Sequence, residues 1–185
     1  MAIKFLKLKD PGGFLSNFWP CTIYALDRTW KTSEHLYQAL KFWGMGGTHF
    51  DDVCNAHNAW AAASTGRDRA RPLRPDWEQV KDDAMRYTVA LKFLHNPDLV
   101  QQLLDTGLEE LVEHFHKDRY WADGGDGSGK NMLGRILMEI RSVLRQDCAR
   151  GIELDDPTKE ATNSYIFNAG VAIGLYPPVD RNEEQ

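Results

Sequence analysis

The apolar residues of this chain recur mostly at helical spacing, which predicts one predominantly helical domain carrying a few short strands. Three observations support that fold class. Segments around 33–43, 77–94 and 132–144 each place large apolar side chains on one helical face, as in Leu133, Ile136, Leu137, Ile140 and Leu144. Period-two alternation is short and confined to the first thirty residues, and no strand-helix-strand rhythm follows it. The length, 185 residues, suits a single domain that buries its own core without disulfides or a structural metal.

Taken in order, Ile3 to Leu8 alternates weakly and stops at Asp10-Pro11-Gly12-Gly13, which predicts a strand and a turn. Thr22-Ile23-Tyr24 and Thr29-Trp30 flank Asp27-Arg28 and read as a short hairpin. From Ser33 the period changes, with Leu36, Tyr37, Leu40 and Trp43 on one face and Thr32 or Ser33 available as N-cap, so Glu34 falls in a first helical turn. A second helix is expected over 48–63, with Phe50, Val53, Cys54, His57 and Trp60 inward and Gly66 ending it. Pro75 and Asp76 open the longest helix, where Trp77, Val80, Ala84, Tyr87, Leu91 and Leu94 keep the period for about five turns. Asn96-Pro97 restarts a short helix that ends at Gly107. Residues 108–116 read equally as strand or helical turn. Residues 118–129 are a loop by composition, feeding directly into the helix at 132–144, and Pro157 is a candidate start for one last helix before a polar tail. Residues 1–150 are thus the expected catalytic domain, and 151–185 an extension that packs on it or trails from it.

Composition narrows the function. The N-terminus carries lysines among its apolar residues and no long apolar run, so neither a leader peptide nor a membrane span is expected and the protein should stay in the cytoplasm. Three scattered cysteines make neither a disulfide framework nor a paired zinc site. A net charge of -5 argues against bulk electrostatic binding of nucleic acid, although a local basic patch exists.

Several constellations carry possible chemistry. Gly124-Gly125-Asp126-Gly127-Ser128-Gly129-Lys130-Asn131 comes within one residue of a phosphate loop, but Asn131 replaces the hydroxyl that magnesium needs and no parallel sheet surrounds it. Two simpler readings stay open: backbone N–H groups holding a phosphate at the helix start, or a solvent-exposed turn. A calcium loop fails at Gly125, where an oxygen ligand is required. His114 and His116 lack a third ligand, so no metal is expected. Glu34, Gln38 and Lys41 line one polar stripe of the first helix beside Tyr37, which is either an ordinary solvated face with a dipole-aligned carboxylate or a functional surface. Arg67, Arg69, Arg71 and Arg74 crowd eight residues and read as a grip for phosphate oxygens or as a solvated loop. Trp77 and Trp121 are core residues or stacking platforms for a base, and the glycine-rich surroundings of Trp121 favour the platform.

Ordered along the chain, Gly13-Phe14-Leu15-Ser16-Asn17-Phe18, then Trp30-Lys31-Thr32-Ser33-Glu34-His35-Leu36-Tyr37-Gln38-Ala39-Leu40-Lys41-Phe42, Gly66-Arg67, Arg74-Pro75-Asp76-Trp77-Glu78 with Lys81, Asp118-Arg119-Tyr120-Trp121-Ala122-Asp123-Gly124 and Asn131-Met132-Leu133-Gly134 resemble the NADAR family. The resemblance spans roughly residues 10–145. It implies a mainly helical α+β domain with N-glycosidase activity, acting on ribosylamino-pyrimidine phosphates of early riboflavin synthesis or on ADP-ribose attached to guanine in DNA. It further implies that Glu34, Trp77, Trp121 and Asp123 are the functional residues. Ala122 departs from the glycine frequent in the family, which alters the loop without removing either flanking group.

Cleavage of a ribosyl C–N bond passes through an oxocarbenium-like state, which asks for one carboxylate at the sugar and an acid at the departing nitrogen. Glu34 and Asp123 are the expected pair, with acid and base roles open between them. Trp77 or Trp121 would stack on the base, with Tyr37 beside them. Arg67, Arg74 and Lys81 would take phosphates, Asn17 or Gln38 would meet ribose hydroxyls, and Ser16, Lys41, Gly129 and Asn131 would also contact the substrate. No cofactor is expected. The partners implied are the substrate itself, a ribosyl phosphate or ADP-ribosylated DNA guanine, and a cognate DNA ADP-ribosyltransferase toxin encoded alongside. The competing reading is a catalytically silent module that only binds ADP-ribose or a nucleotide.

Overall fold

The computed structural model describes residues 2–153 and 160–177. Strand β1 (Ala2–Phe5), a 3-10 turn (Gly13–Leu15) and the hairpin β2 (Ile23–Ala25) and β3 (Arg28–Trp30) lead into helices α1 (Ser33–Leu40), α2 (His49–Cys54), α3 (Ala59–Arg67), α4 (Trp77–Leu94) and α5 (Pro97–Asp105). Strand β4 (Glu110–Glu113) and helices α6 (Met132–Ala149) and α7 (Glu160–Ala172) complete them. The domain is mainly helical α+β, as the periodicities and the resemblance both predict.

Of residues 108–116, undecided in sequence, 110–113 become a strand because β1 offers a parallel partner, pairing Ala2 with Glu110 and Phe5 with Glu113. The antiparallel hairpin turns at Leu26 and Asp27, both at φ 56, rather than at Asp27-Arg28; two left-handed residues match the twist of the strands, and Arg28 already belongs to β3.

The expected helix over 48–63 is two helices. Asn58 adopts extended backbone and its side chain accepts the amide of Ala61, so it caps α3 and interrupts the run. That break turns Trp60, expected to face inward, out to solvent at 72% exposure.

Helix α1 is capped by Thr32, whose hydroxyl accepts the His35 amide, and every one of its residues is buried. Helices α2, α3 and α4 pack around it, which is why even Glu34 and Gln38 leave water. The solvated-face reading of this stripe is therefore overturned.

Helix α4 forms the spine between α1 and the pair α6 and α7. Its Lys92 is fully buried, and its Nζ donates to the carbonyls of Phe14 (2.6 Å) and Ser16 (2.9 Å), fastening the loop that carries Asn17. Helix α7 is held by Asp147 of α6, whose carboxylate accepts the amides of Ala161 and Thr162 and the Thr162 hydroxyl. Ile166, Ala169 and Ile173 join the common core. The candidate helix start at Pro157 and the tail from residue 178 lie outside the described residues.

Candidate active site

A cavity of about 830 Å³ opens between α1, the end of α3, the start of α4, the end of β4 and the loop before α6. Ten of the residues expected from sequence line it: Ser16, Asn17, Glu34, Tyr37, Gln38, Lys41, Arg67, Trp77, Lys81 and Trp121. They come from segments more than a hundred positions apart, brought together by the packing of α1 on α3 and α4.

Glu34 is the most enclosed charge among them, only 4% exposed. Its Oε1 accepts from Gln38 Nε2 at 2.8 Å and lies 3.6 Å from the Arg67 guanidinium. Burial pushes its carboxyl up, while Gln38, Arg67 and Lys41 pull against that push. Donation to Glu34 leaves Gln38 Oε1 buried without a hydrogen-bond partner among the described residues, pressed against Gly66 of α3. Lys41 donates to the Gly66 carbonyl at 3.0 Å, and burial brings its ammonium down to about 8, with Glu34 opposing.

Asn17 is set from both sides. Its carbonyl accepts the Glu34 amide at 2.9 Å, and its side-chain oxygen accepts the Ser33 hydroxyl at 3.1 Å. The first turn of α1 and the Ser16-Asn17 loop are thus one rigid unit.

Aromatic rings form one wall. Tyr37 meets Trp77 at 5.3 Å and Trp121 edge-on at 5.6 Å. Asp118 orients Trp121 by accepting its backbone amide at 2.7 Å. Lys81 sits 4.1 Å above the Tyr120 ring and pairs with Glu78. At the mouth, Phe18 packs against the exposed Trp60 at 4.8 Å.

Four expected residues lie outside the lining. Asp123 is buried, its carboxylate accepting from His114 Nδ1 at 2.8 Å and the Gly125 amide at 2.7 Å. Removal from water works the other way, yet these bonds hold it below the usual carboxylate range. Asn131 is at φ 50 and ties the loop to β4, donating to the Leu111 carbonyl and accepting the Glu113 amide. Gly129 packs so tightly on Ala122 and Asp123 that a side chain has no room. Arg74 is taken by Asp76 and by the Ile173 carbonyl, and Arg71 by Asp52, so only Arg67 of the arginine-rich stretch reaches the cavity.

The phosphate-loop reading fails for a related reason. The amides of Gly124, Gly125, Ser128, Gly129, Lys130, Asn131, Met132 and Leu133 all donate to acceptors within the loop and its flanks. The helix start has little left for a phosphate.

Sequence reasoning missed Glu113, Phe18, Trp60 and Tyr120 as lining residues. For Glu113 a signal existed: read as a strand, the segment places Leu111 and Glu113 on one side, a carboxylate sharing the direction of a fully buried leucine. Among the described residues no three histidine, cysteine, aspartate or glutamate side chains gather as a metal site, and no helix is long and apolar enough to cross a membrane.

The NADAR domain profile matches residues 4–145, a span that contains every lining residue of this cavity. The chain belongs to the NADAR family. It is 42% identical over 144 residues to N-glycosidase YbiA of Escherichia coli, covering 77% of this chain and 88% of that protein. The NMR structure of E. coli YbiA superposes with a TM-score of 0.73 at 40% identity, covering 80% of this chain and 87% of the other. A riboflavin biosynthesis protein of Vibrio vulnificus is 44% identical over 150 residues. That match takes in 78% of this chain but only 39% of the Vibrio protein's length. Helix α7 lies beyond the matched domain, so its packing on α4 is an addition to the family's common part.

Proposed function

We propose that this protein is an N-glycosidase that hydrolyses the bond between C1′ of a ribose and a nitrogen of a guanine-like ring. The observation that carries this reading is the buried Glu34 carboxylate, held by Gln38 and Arg67 within an aromatic-walled cavity. The name of the E. coli relative supports the bond class.

The ring stacks against Trp77 or Trp121, where Tyr37 limits its tilt. Phosphate oxygens meet Arg67 and Lys81, and ribose hydroxyls meet Asn17 and Gln38. As the C1′–N bond stretches, positive charge grows on the ribose, and a carboxylate already desolvated stabilises it more strongly than one in water. Water then adds to C1′, its proton passing to Glu34, while an acid in the site protonates the departing nitrogen.

Two substrates satisfy this description. The Vibrio relative's name favours a ribosylamino-pyrimidine phosphate. The cavity's volume and the exposed Trp60 against Phe18 at its mouth favour ADP-ribosyl guanine, which brings a second base. In that case a DNA ADP-ribosyltransferase toxin would be the functional counterpart.

Purified protein and Glu34→Gln are incubated with each substrate, and released ribose species are followed by mass spectrometry. Wild-type release from one substrate, reduced at least about 100-fold in Glu34→Gln with the fold intact, is the expected result. Equal release by both proteins removes Glu34 from the mechanism. ADP-ribose binding without release from either substrate makes the protein a silent binding module.

A further inference from the structure

The reaction needs a proton at the departing nitrogen, and Asp123 is poorly placed to give it. Its carboxylate is outside the cavity lining, and its hydrogen bonds favour the ionised form. A second carboxyl, that of the half-buried Glu113, nevertheless lines the same cavity as Glu34. We infer that Glu113, the last residue of β4, is the general acid of this site, protonating the leaving nitrogen while Glu34 serves the ribose and the incoming water.

Geometry supports the assignment in two ways. The backbone of Glu113 is fixed on both sides, its amide donating to Asn131 Oδ1 at 3.1 Å and its carbonyl accepting the Asp123 amide at 2.9 Å. Asp123 and Asn131, which do not reach the cavity themselves, thereby position a residue that does. The Glu113 side chain lines the cavity and makes no hydrogen bond or ion pair with another described residue, whereas Glu34 has both Gln38 and Arg67. Two carboxyl groups in one cavity, one partnered by a cation and one not, are separated in role by their surroundings.

The charged groups that act on Glu113 are Asp118 and Asp123 of the following loop, Glu34 of α1 and Arg67 at the end of α3; Phe5 pairs with it from β1. Burial, then Asp118 and Glu34, push its carboxyl up to about 8 against the pull of Arg67. At neutral pH it therefore holds a proton. In the step, the C1′–N bond breaks with its electron pair going to nitrogen, which takes the Glu113 proton. Water oxygen bonds to C1′ and its proton goes to Glu34. The products are the free ribose hydroxyl and the base N–H, and the two carboxyl groups then exchange protons with solvent to restore the starting state.

This assignment rests on the N-glycosidase reading, and the test separates the two. Wild type, Glu113→Gln and Glu113→Asp are assayed between pH 5 and 9 on ADP-ribosyl-guanine DNA, the ribosylamino-pyrimidine phosphate and a nitrophenyl riboside phosphate, whose leaving group departs as an anion. Folding of each variant is checked by thermal denaturation, and the Glu113 carboxyl of the wild type is titrated by carbon-13 NMR. On the natural substrate, kcat should fall about 10²–10⁴-fold in Glu113→Gln with KM little changed. The wild-type loss of activity above about pH 8 should vanish in that variant. The nitrophenyl substrate should restore Glu113→Gln but not Glu34→Gln, and Glu113→Asp should retain part of the natural activity. Wild-type rates in Glu113→Gln, or equal losses on both leaving groups, overturn the acid role while leaving the N-glycosidase reading intact. No wild-type hydrolysis of any substrate, even with a carboxyl titrating near 8, overturns both.

Discussion

Individual buried charges set much of this protein's behaviour. Lys92 is the clearest case, because it lies in the core and donates to two loop carbonyls from the helix that backs the site. Burial lowers its ammonium from 10.5 to about 8, with Cys21 opposing. A lysine lowered in the folded state binds fewer protons there than when unfolded between these values. Its contribution to stability therefore rises as pH increases from about 8 to 10.5. Lys92→Met should cost about 1–3 kcal/mol at pH 7 through the two orphaned carbonyls, and its deficit relative to wild type should widen across that alkaline window. Denaturant melts of both proteins at pH 7, 8.5 and 10 check this, and a constant deficit would refute it.

At the level of elements, the seam between α1 and α3 controls the candidate site. Gly66 lies within α3 where a side chain would collide with Gln38, whose Cβ and Cδ would be 2.7 and 2.8 Å away. Because the collision involves the root of Gln38 as well as its tip, rotation of the amide cannot relieve it. Gly66→Ala should lose about 1–3 kcal/mol and loosen the Gln38 to Glu34 hydrogen bond, lowering activity along with stability. Unchanged melting and activity would show that the seam yields more easily than its geometry implies. The glycine itself was visible in sequence as an expected helix end. Its role as the small residue that admits Gln38 was not, because nothing local announces which side chain another helix will press against it.

For the whole molecule, the question is whether the part beyond the family's common domain belongs to the same cooperative unit. Ile166 and Ala169 of α7 and Ile173 just beyond it join the core, and Tyr87 of α4 meets Tyr176 with hydroxyls 3.1 Å apart. We propose that residues 160–177 fold with the domain. Truncation after residue 150 should lower the melting temperature and expose apolar surface of α4, as read by calorimetry and dye binding. Asp147→Ala in the full chain should lose about 1–3 kcal/mol, since the α7 start loses three hydrogen bonds at once. A truncated protein melting as the full chain does would make the segment a mere appendage.

The sequence by itself determined the helical class, the long α4 and α6, and ten residues of the cavity, because apolar periodicity and local motifs are properties of neighbouring positions. It also carried the family resemblance. Tertiary structure alone decided that 110–113 is a strand, since its partner lies at the opposite end of the fold's catalytic part, and that Asn58 splits an apparently continuous helix. It likewise drew Arg74 and Asp123 into structural bonds and brought Glu113 to the cavity instead. Whether a charged side chain meets a ligand, a neighbour or water depends on what packs around it from distant segments, and a local pattern does not contain that information.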